Sequence, residues 1–276
     1  MKNVKVILWG LGAMGGGIGK MLTKKKGVDI VGAIDIGDKI GKSLYDVVPG
    51  IVRGDREDVI VGTPEEVIKP GAADIVVVCT NSFTKDVYDK LVFVMEKGMN
   101  VITSAEEMAY PQAQEPELAK KLDEIAKKNG VSVMGTGINP GLIMDLLVIL
   151  WTAACEEVNH VTSRRVNSLS PFGPAVMEEQ GIGISVEEFN ERKANGTMAG
   201  HVGFAESTMM ICDALGWKWD DFGQDMEPIV TDVDRKSPYG FAAAGQVAGV
   251  AMKGWVNIDG ERKIDMDHPQ QIEPEQ

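Results

Sequence analysis

The feature that most limits what this chain can fold into is a glycine-spaced loop close to its start. A short apolar run, Val4-Lys5-Val6-Ile7-Leu8-Trp9, leads directly into Gly10-Leu11-Gly12-Ala13-Met14-Gly15. The run predicts a buried strand, and Gly15 to Lys26 predicts a helix with Ile18, Met21 and Leu22 on its apolar face. A second run, Val28 to Ile34, ends in Asp35, twenty residues after Gly15. Strand, glycine turn, helix and a second-strand acid together point to a dinucleotide-binding unit, where an isolated glycine motif would not. Gly10 permits the tight turn, Gly12 lets the backbone approach a pyrophosphate, and Gly15 lets helix and strand pack closely. The helix N-terminus then points free N–H groups at phosphate oxygens. Gly10, Leu11, Gly12, Ala13, Met14 and Gly15 are therefore candidate cofactor contacts, and Asp35 is placed to reach a ribose hydroxyl. Its carboxylate predicts a preference for NAD, because it repels a 2′-phosphate. Lys39 and Lys42 lie just beyond and soften that preference, so use of NADP stays open.

Further apolar runs at Val59–Val61, Ala73–Thr80, Asn100–Thr103 and Val131–Met134 alternate with helical stretches that include Thr84–Lys97 and Glu115–Asn129. Continuous rather than alternating apolar runs suit a parallel sheet covered on both faces. Six strands alternating with helices predict an α/β, doubly wound Rossmann domain over residues 1–138. The cluster Gly135-Thr136-Gly137-Ile138-Asn139-Pro140-Gly141 is the natural hinge out of it. Residues 139–276 predict an α+β substrate domain. Its helices are expected at 142–154, 185–195 and 204–215, the second opened by a Ser185/Glu188 capping box. Strand-like stretches at 158–169, 227–233, 246–258 and 262–266 predict a sheet built on antiparallel strands, and Asp267 to Gln276 reads as a tail of little structure.

Two domains fit the length of 276 residues. A net charge of −13 excludes nucleic acid and anionic membrane as partners, since both demand basic patches. No stretch approaches the roughly 18 apolar residues of a membrane span. Cys79, Cys155 and Cys212 are too scattered for a disulfide framework or a structural zinc site, so no metal is expected. These features predict a soluble, cytoplasmic protein acting on a small molecule.

A dinucleotide domain followed by an α+β domain predicts a substrate held in the cleft between them. Loops at the carboxyl edge of the parallel sheet supply the first candidates. Thr80, Asn81 and Ser82 follow the fourth strand, where they either contact the cofactor or cap the next helix. Glu106 and Glu107 follow the fifth strand. Adjacent carboxylates are ordinarily solvated or sit in a first helical turn, yet at this edge one would hold a substrate ammonium or act as general base on water. Asn139 stands at the hinge. His201, in Ala199-Gly200-His201-Val202-Gly203, is a candidate because flanking glycines allow close approach and imidazole titrates near neutrality. Arg164 and Arg165 alternate across a strand, so only one points inward, where it would suit a substrate carboxylate. His160 and His268 have no comparable setting.

Four segments carry a family resemblance: Gly10 to Gly15, Thr103-Ser104-Ala105-Glu106-Glu107-Met108-Ala109-Tyr110-Pro111, Gly135 to Gly141, and Gly200-His201-Val202-Gly203-Phe204-Ala205-Glu206-Ser207. Across nearly its whole length the chain resembles the 2,4-diaminopentanoate dehydrogenases and native amine dehydrogenases, within the dihydrodipicolinate-reductase-like group. The resemblance implies oxidative deamination of a diamino acid with NAD or NADP in amino-acid fermentation, reversible as reductive amination, by a homodimer. It also implies that a glutamate of the Glu106-Glu107 pair is catalytic, with a slight lean to Glu106. The paired histidines and lysine of true dihydrodipicolinate reductases are missing around Asn159-His160-Val161-Thr162, which disfavours that activity. Family members tend to run on past the position of Gln276, so a further segment is expected. Competing expectations are a homoserine or aspartate dehydrogenase of the same architecture, and a cofactor-sensing protein without turnover.

Overall fold

A computed structural model describes residues 2–198 and 200–274; Met1, Ala199, Glu275 and Gln276 lie outside them. The chain divides into two compact units, Met1–Gly141 and Leu142–Gln276.

In the first unit β1 (Val4–Trp9), α1 (Ala13–Leu22) and β2 (Val28–Ile34) form the opening strand–helix–strand. Two single-turn helices, α2 (Leu44–Val47) and α3 (Pro64–Val67), flank β3 (Val61–Gly62). Then come β4 (Ile75–Val78), α4 (Thr84–Glu96), β5 (Asn100–Thr103), α5 (Pro116–Asn129) and β6 (Val133–Gly135). All pairings are parallel, in the order β3-β2-β1-β4-β5-β6. That order is the doubly wound dinucleotide-binding arrangement, whose topology reverses between β1 and β4. The apolar runs are buried as expected: Ile7, Leu8, Val76, Val78 and Val101 are each at most 1% exposed.

Helix boundaries follow local chemistry. The Glu66 carboxylate accepts from the Thr63 N–H at 2.9 Å, closing the first turn of α3. Gly130, at φ +64°, ends α5 in the left-handed conformation. Helix α1 departs from expectation at one position. Gly15, Gly16 and Gly19 form its buried face, and Ile18 and Leu22 pack beside them against the core of β1 and β2, whereas Met21 is 58% exposed. The glycines let the backbone of α1 lie close against the sheet.

The second unit opens with α6 (Leu146–Thr152), shorter than expected and with none of its residues buried. After it come β7 (Val161–Arg164), β8 (Asn167–Ser168), α7 (Pro174–Glu179), α8 (Val186–Ala194) and α9 (Phe204–Leu215). The Ser185 hydroxyl accepts from the Glu188 N–H at 3.1 Å to start α8, and Gly216 in left-handed conformation ends α9. Buried Asp145 caps α6 through the Leu146 N–H and accepts from the Ser207 hydroxyl of α9 at 2.9 Å.

The long strands β9 (Asp221–Val230), β12 (Val247–Ile258) and β13 (Glu261–Gln271) are antiparallel neighbours, and β10 (Arg235–Lys236) pairs with β11 (Phe241–Ala242) in a small ribbon. Asp259 and Gly260, both at positive φ, make the β12–β13 turn. Two expectations are corrected here. The sheet is mixed rather than antiparallel, because β7 and β8 run parallel to β13. The supposed unstructured tail is strand as far as Gln271. Along β13, Ile264, Met266, His268 and Gln270 alternate onto the buried face.

Candidate active site

The glycine loop behaves as its spacing requires. Gly10 sits at φ +93°, and a Cβ there would meet the Cys79 carbonyl oxygen at 2.5 Å. A Cβ on Gly15 would lie 1.8 Å from the Gly10 oxygen, so neither position accepts another residue without movement. Gly12 is different: a Cβ there meets nothing within 4 Å. The loop therefore demands glycine at its ends for its own geometry, and at Gly12 leaves open space before the N-terminus of α1. Those features fit a bound pyrophosphate.

Asp35 stands at the end of β2 as expected and ties the loop to the strand. One carboxylate oxygen accepts from the Leu11 N–H at 2.8 Å and from Lys39 at 2.7 Å, and the other accepts from the Ile36 N–H at 2.8 Å. Burial pushes its pKa up, but these hydrogen bonds and the Lys39 charge outweigh burial and hold it below the usual carboxylate value. Lys39 thus stands against Asp35, at the position where a ribose or its 2′-phosphate would be read.

After β4, neither Asn81 nor Ser82 caps α4. Its N-cap is Phe83, whose side chain makes no capping bond. Thr80 and Asn81 instead accept from Lys90 of α4, the former at 3.0 Å. The cap comes from elsewhere in the sequence. Glu107, 6% exposed, accepts the Thr84 N–H at 2.7 Å, placing its negative charge at the positive end of α4. The Glu107 N–H also donates to the Ser82 carbonyl at 3.1 Å, and Gln114 donates to the Glu107 carboxylate at 3.4 Å. Ser104 N–H to Val78 and Thr136 N–H to Thr103 complete the anchoring of this loop to the strand ends. A Cβ on Gly135 would collide with the Met108 backbone at 2.1 Å, so the glycine lets β6 lie directly against the loop.

The two glutamates are thereby separated. Glu107 is consumed by structure, whereas the side chain of Glu106, half-buried on the same turn, makes no hydrogen bond or ion pair with another described residue. Asn139 lies in the segment leaving β6, joined to Pro140 by a cis peptide bond. Gly10–Gly15, Asp35, Thr80–Ser82, Glu106 and Asn139 all follow the carboxyl ends of parallel strands, the edge at which open α/β sheets bind ligands.

In the second unit the adjacent arginines part as strand alternation requires. Arg164 points outward, its side chain 64% exposed, and pairs with Asp267 at 2.8 Å. Arg165 is half-buried and approaches His268 Nε2 at 3.4 Å. His201 lies edge-on to His268 with ring centres 5.1 Å apart, and to Phe204 at 5.2 Å. Burial, with help from His268 and Arg165, pushes the His201 pKa down to about 3. Burial thus favours the neutral imidazole at this position. His268, which has no distinguishing setting in the sequence, is the ring around which this cluster forms.

The strand order, glycine loop and second-strand acid define a dinucleotide-binding protein of the doubly wound class. Comparisons with known proteins narrow the class. A family model described as the 2,4-diaminopentanoate dehydrogenase C-terminal domain matches residues 142–276. A 2,4-diaminopentanoate dehydrogenase of Acetoanaerobium sticklandii is 68% identical over 277 residues, covering 100% of this chain and 78% of that protein. The solved amine dehydrogenase of Mycobacterium smegmatis is 26% identical with a TM-score of 0.78, over 98% of this chain and 80% of that one. A putative myo-inositol dehydrogenase of Sinorhizobium meliloti, 15% identical with a TM-score of 0.56, covers 98% of this chain and 70% of its own, and shares the fold alone. The chain belongs to the 2,4-diaminopentanoate dehydrogenase family.

Proposed function

We propose that this chain oxidises the C4 amine of 2,4-diaminopentanoate with NAD or NADP, giving 2-amino-4-oxopentanoate and ammonia, and runs the reverse reductive amination. The observation that carries this reading is identity of 68% across the whole chain to a protein of that name. Homoserine or aspartate oxidation and turnover-free cofactor sensing are not favoured beside it.

The glycine loop Gly10–Gly15 would hold the pyrophosphate, Asp35 the adenine-side ribose, and Thr80, Asn81 and Ser82 would border the cofactor at the next strand end. Bound oxidised nicotinamide supplies the acceptor for the hydride that leaves the amine-bearing carbon. The rest falls to protein groups. Glu106 takes the proton that frees the amine lone pair and releases it to solvent, then takes a proton from the water that adds to the resulting iminium carbon and returns it to the carbinolamine nitrogen. Collapse of the carbinolamine expels ammonia and leaves the ketone. The balance is one protonated amine, one oxidised cofactor and one water giving ketone, ammonium, reduced cofactor and one proton. Glu107 is a positioning residue that fixes the turn carrying Glu106. Asn139 and His201 are assigned to substrate binding, His201 as a neutral ring. Arg164, paired outward with Asp267, has no part in it.

A cytoplasmic homodimer is the assembly proposed, and sedimentation equilibrium tests it: a single-chain mass at micromolar concentration would refute it. Turnover is tested by following reduced-cofactor absorbance with 2,4-diaminopentanoate, homoserine and aspartate in turn. Reduction with the diamino acid alone is expected. Tight cofactor binding without reduction by any of the three would overturn the reading.

A further inference from the structure

His268 lies on the buried face of β13 and is 1% exposed. Its Nδ1 is 2.9 Å from the Arg165 carbonyl oxygen and its Nε2 3.4 Å from Arg165 Nη1. A guanidinium can only donate, so Nε2 accepts. Nδ1 therefore carries the proton and donates to the carbonyl. One neutral ring thus grips Arg165 at both main chain and side chain. Burial, together with the Arg165 charge, pushes the His268 pKa down in spite of its bond to the Arg165 carbonyl and the charge of Asp267, which favours the neutral tautomer that this grip needs.

Arg165 itself is half-buried and pairs with no carboxylate among the described residues. The nearby Asp267 is engaged by Arg164. Burial of the Arg165 guanidinium lowers its pKa, a cost that an incoming anion would relieve. A planar guanidinium matches a carboxylate through two parallel hydrogen bonds, which gives geometry as well as charge.

We propose that Arg165, oriented by His268, binds the α-carboxylate of the amino-acid substrate and so selects diamino acids over simple amines. The inference rests on the deamination reading above and assigns the part of the substrate remote from the reacting carbon. His268 is a positioning residue acting through Arg165.

The test uses the full chain with NAD, the variants Arg165→Met, Arg165→Lys and His268→Asn, and two ligands. 2,4-Diaminopentanoate reports turnover. 2-Aminopentanoate, which keeps the α-carboxylate but lacks the C4 amine, reports binding by calorimetry in the presence of cofactor. Arg165→Met should raise the KM for the diamino acid and the Kd for 2-aminopentanoate by about 30-fold, with kcat and cofactor affinity little changed. Arg165→Lys, which keeps charge without the fork, should recover part of that loss, and His268→Asn should fall between wild type and Arg165→Met. Unchanged KM and Kd in folded Arg165→Met would overturn the proposal, as would equal loss of kcat and cofactor binding. Should Arg165→Met not fold, Arg165→Lys decides: wild-type KM and Kd would overturn the proposal. Failure of the deamination reading looks different: wild type itself then gives no turnover, while 2-aminopentanoate binding still reports on Arg165.

Discussion

At the scale of single residues, two neighbouring glutamates divide the work. Glu106→Gln should lower kcat by about 100-fold or more, the usual worth of a positioned acid–base group, with cofactor affinity unchanged. Glu107→Ala removes the charged cap of α4 and should cost about 1–3 kcal/mol of stability, read as a lower melting temperature. Wild-type kcat in Glu106→Gln would remove that residue from the chemistry. The sequence placed both carboxylates at the right edge of the sheet but had no means of separating them. What distinguishes them is a bond from Glu107 to Thr84, a contact across 23 positions that no local pattern encodes. Histidines 201 and 268 carry a pH prediction. Both have pKa values held below the ordinary 6.5 when folded, so protons favour the unfolded chain. Stability should be at full value above about pH 6.5 and decline as pH falls from there towards about 3. Melting temperatures between pH 7 and pH 5 measure this, and His201→Gln should flatten the decline.

At the scale of elements, the loop between β1 and α1 separates glycines required by the fold from the one reserved for the ligand. Gly15→Ala drives a methyl into the Gly10 carbonyl and should lower both melting temperature and cofactor affinity. Gly12→Ala meets no protein atom within 4 Å, so its melting temperature should be unchanged. Its cofactor Kd should nonetheless rise at least tenfold, about 1.4 kcal/mol, because the methyl stands where the pyrophosphate approaches. Equal cofactor binding in Gly12→Ala and wild type would refute that placement. The strands of the first unit were legible because buried parallel strands are continuous apolar runs with glycine or proline at their ends. Strand β13 was not. Its inward positions run Ile264, Met266, His268, Gln270, and the two polar members masked a period of two. Pro269, which cannot donate to a ladder, falls in the gap between the β7 and β8 ladders on β13. The buried polar pair that hid the strand includes the histidine that holds Arg165.

At the scale of the whole molecule, the chain joins a dinucleotide-binding unit to a mixed-sheet unit that matches the C-terminal domain of one dehydrogenase family. The fold says only that a dinucleotide binds. The segments around Glu106 and His201 made the reaction legible, through resemblance to enzymes that act on amines; periodicity and composition alone reached no further than a dinucleotide. The most direct measurement follows the hydrogen itself. The chain is given 2,4-diaminopentanoate deuterated at C4 with unlabelled NAD, and the reduced cofactor is examined by NMR while ammonium is assayed. The expected result is one deuterium at the nicotinamide C4 for each ammonium released, with slower turnover than for unlabelled substrate if hydride transfer limits the rate. Reduced cofactor without deuterium, or reduction without ammonium, would contradict oxidative deamination at C4.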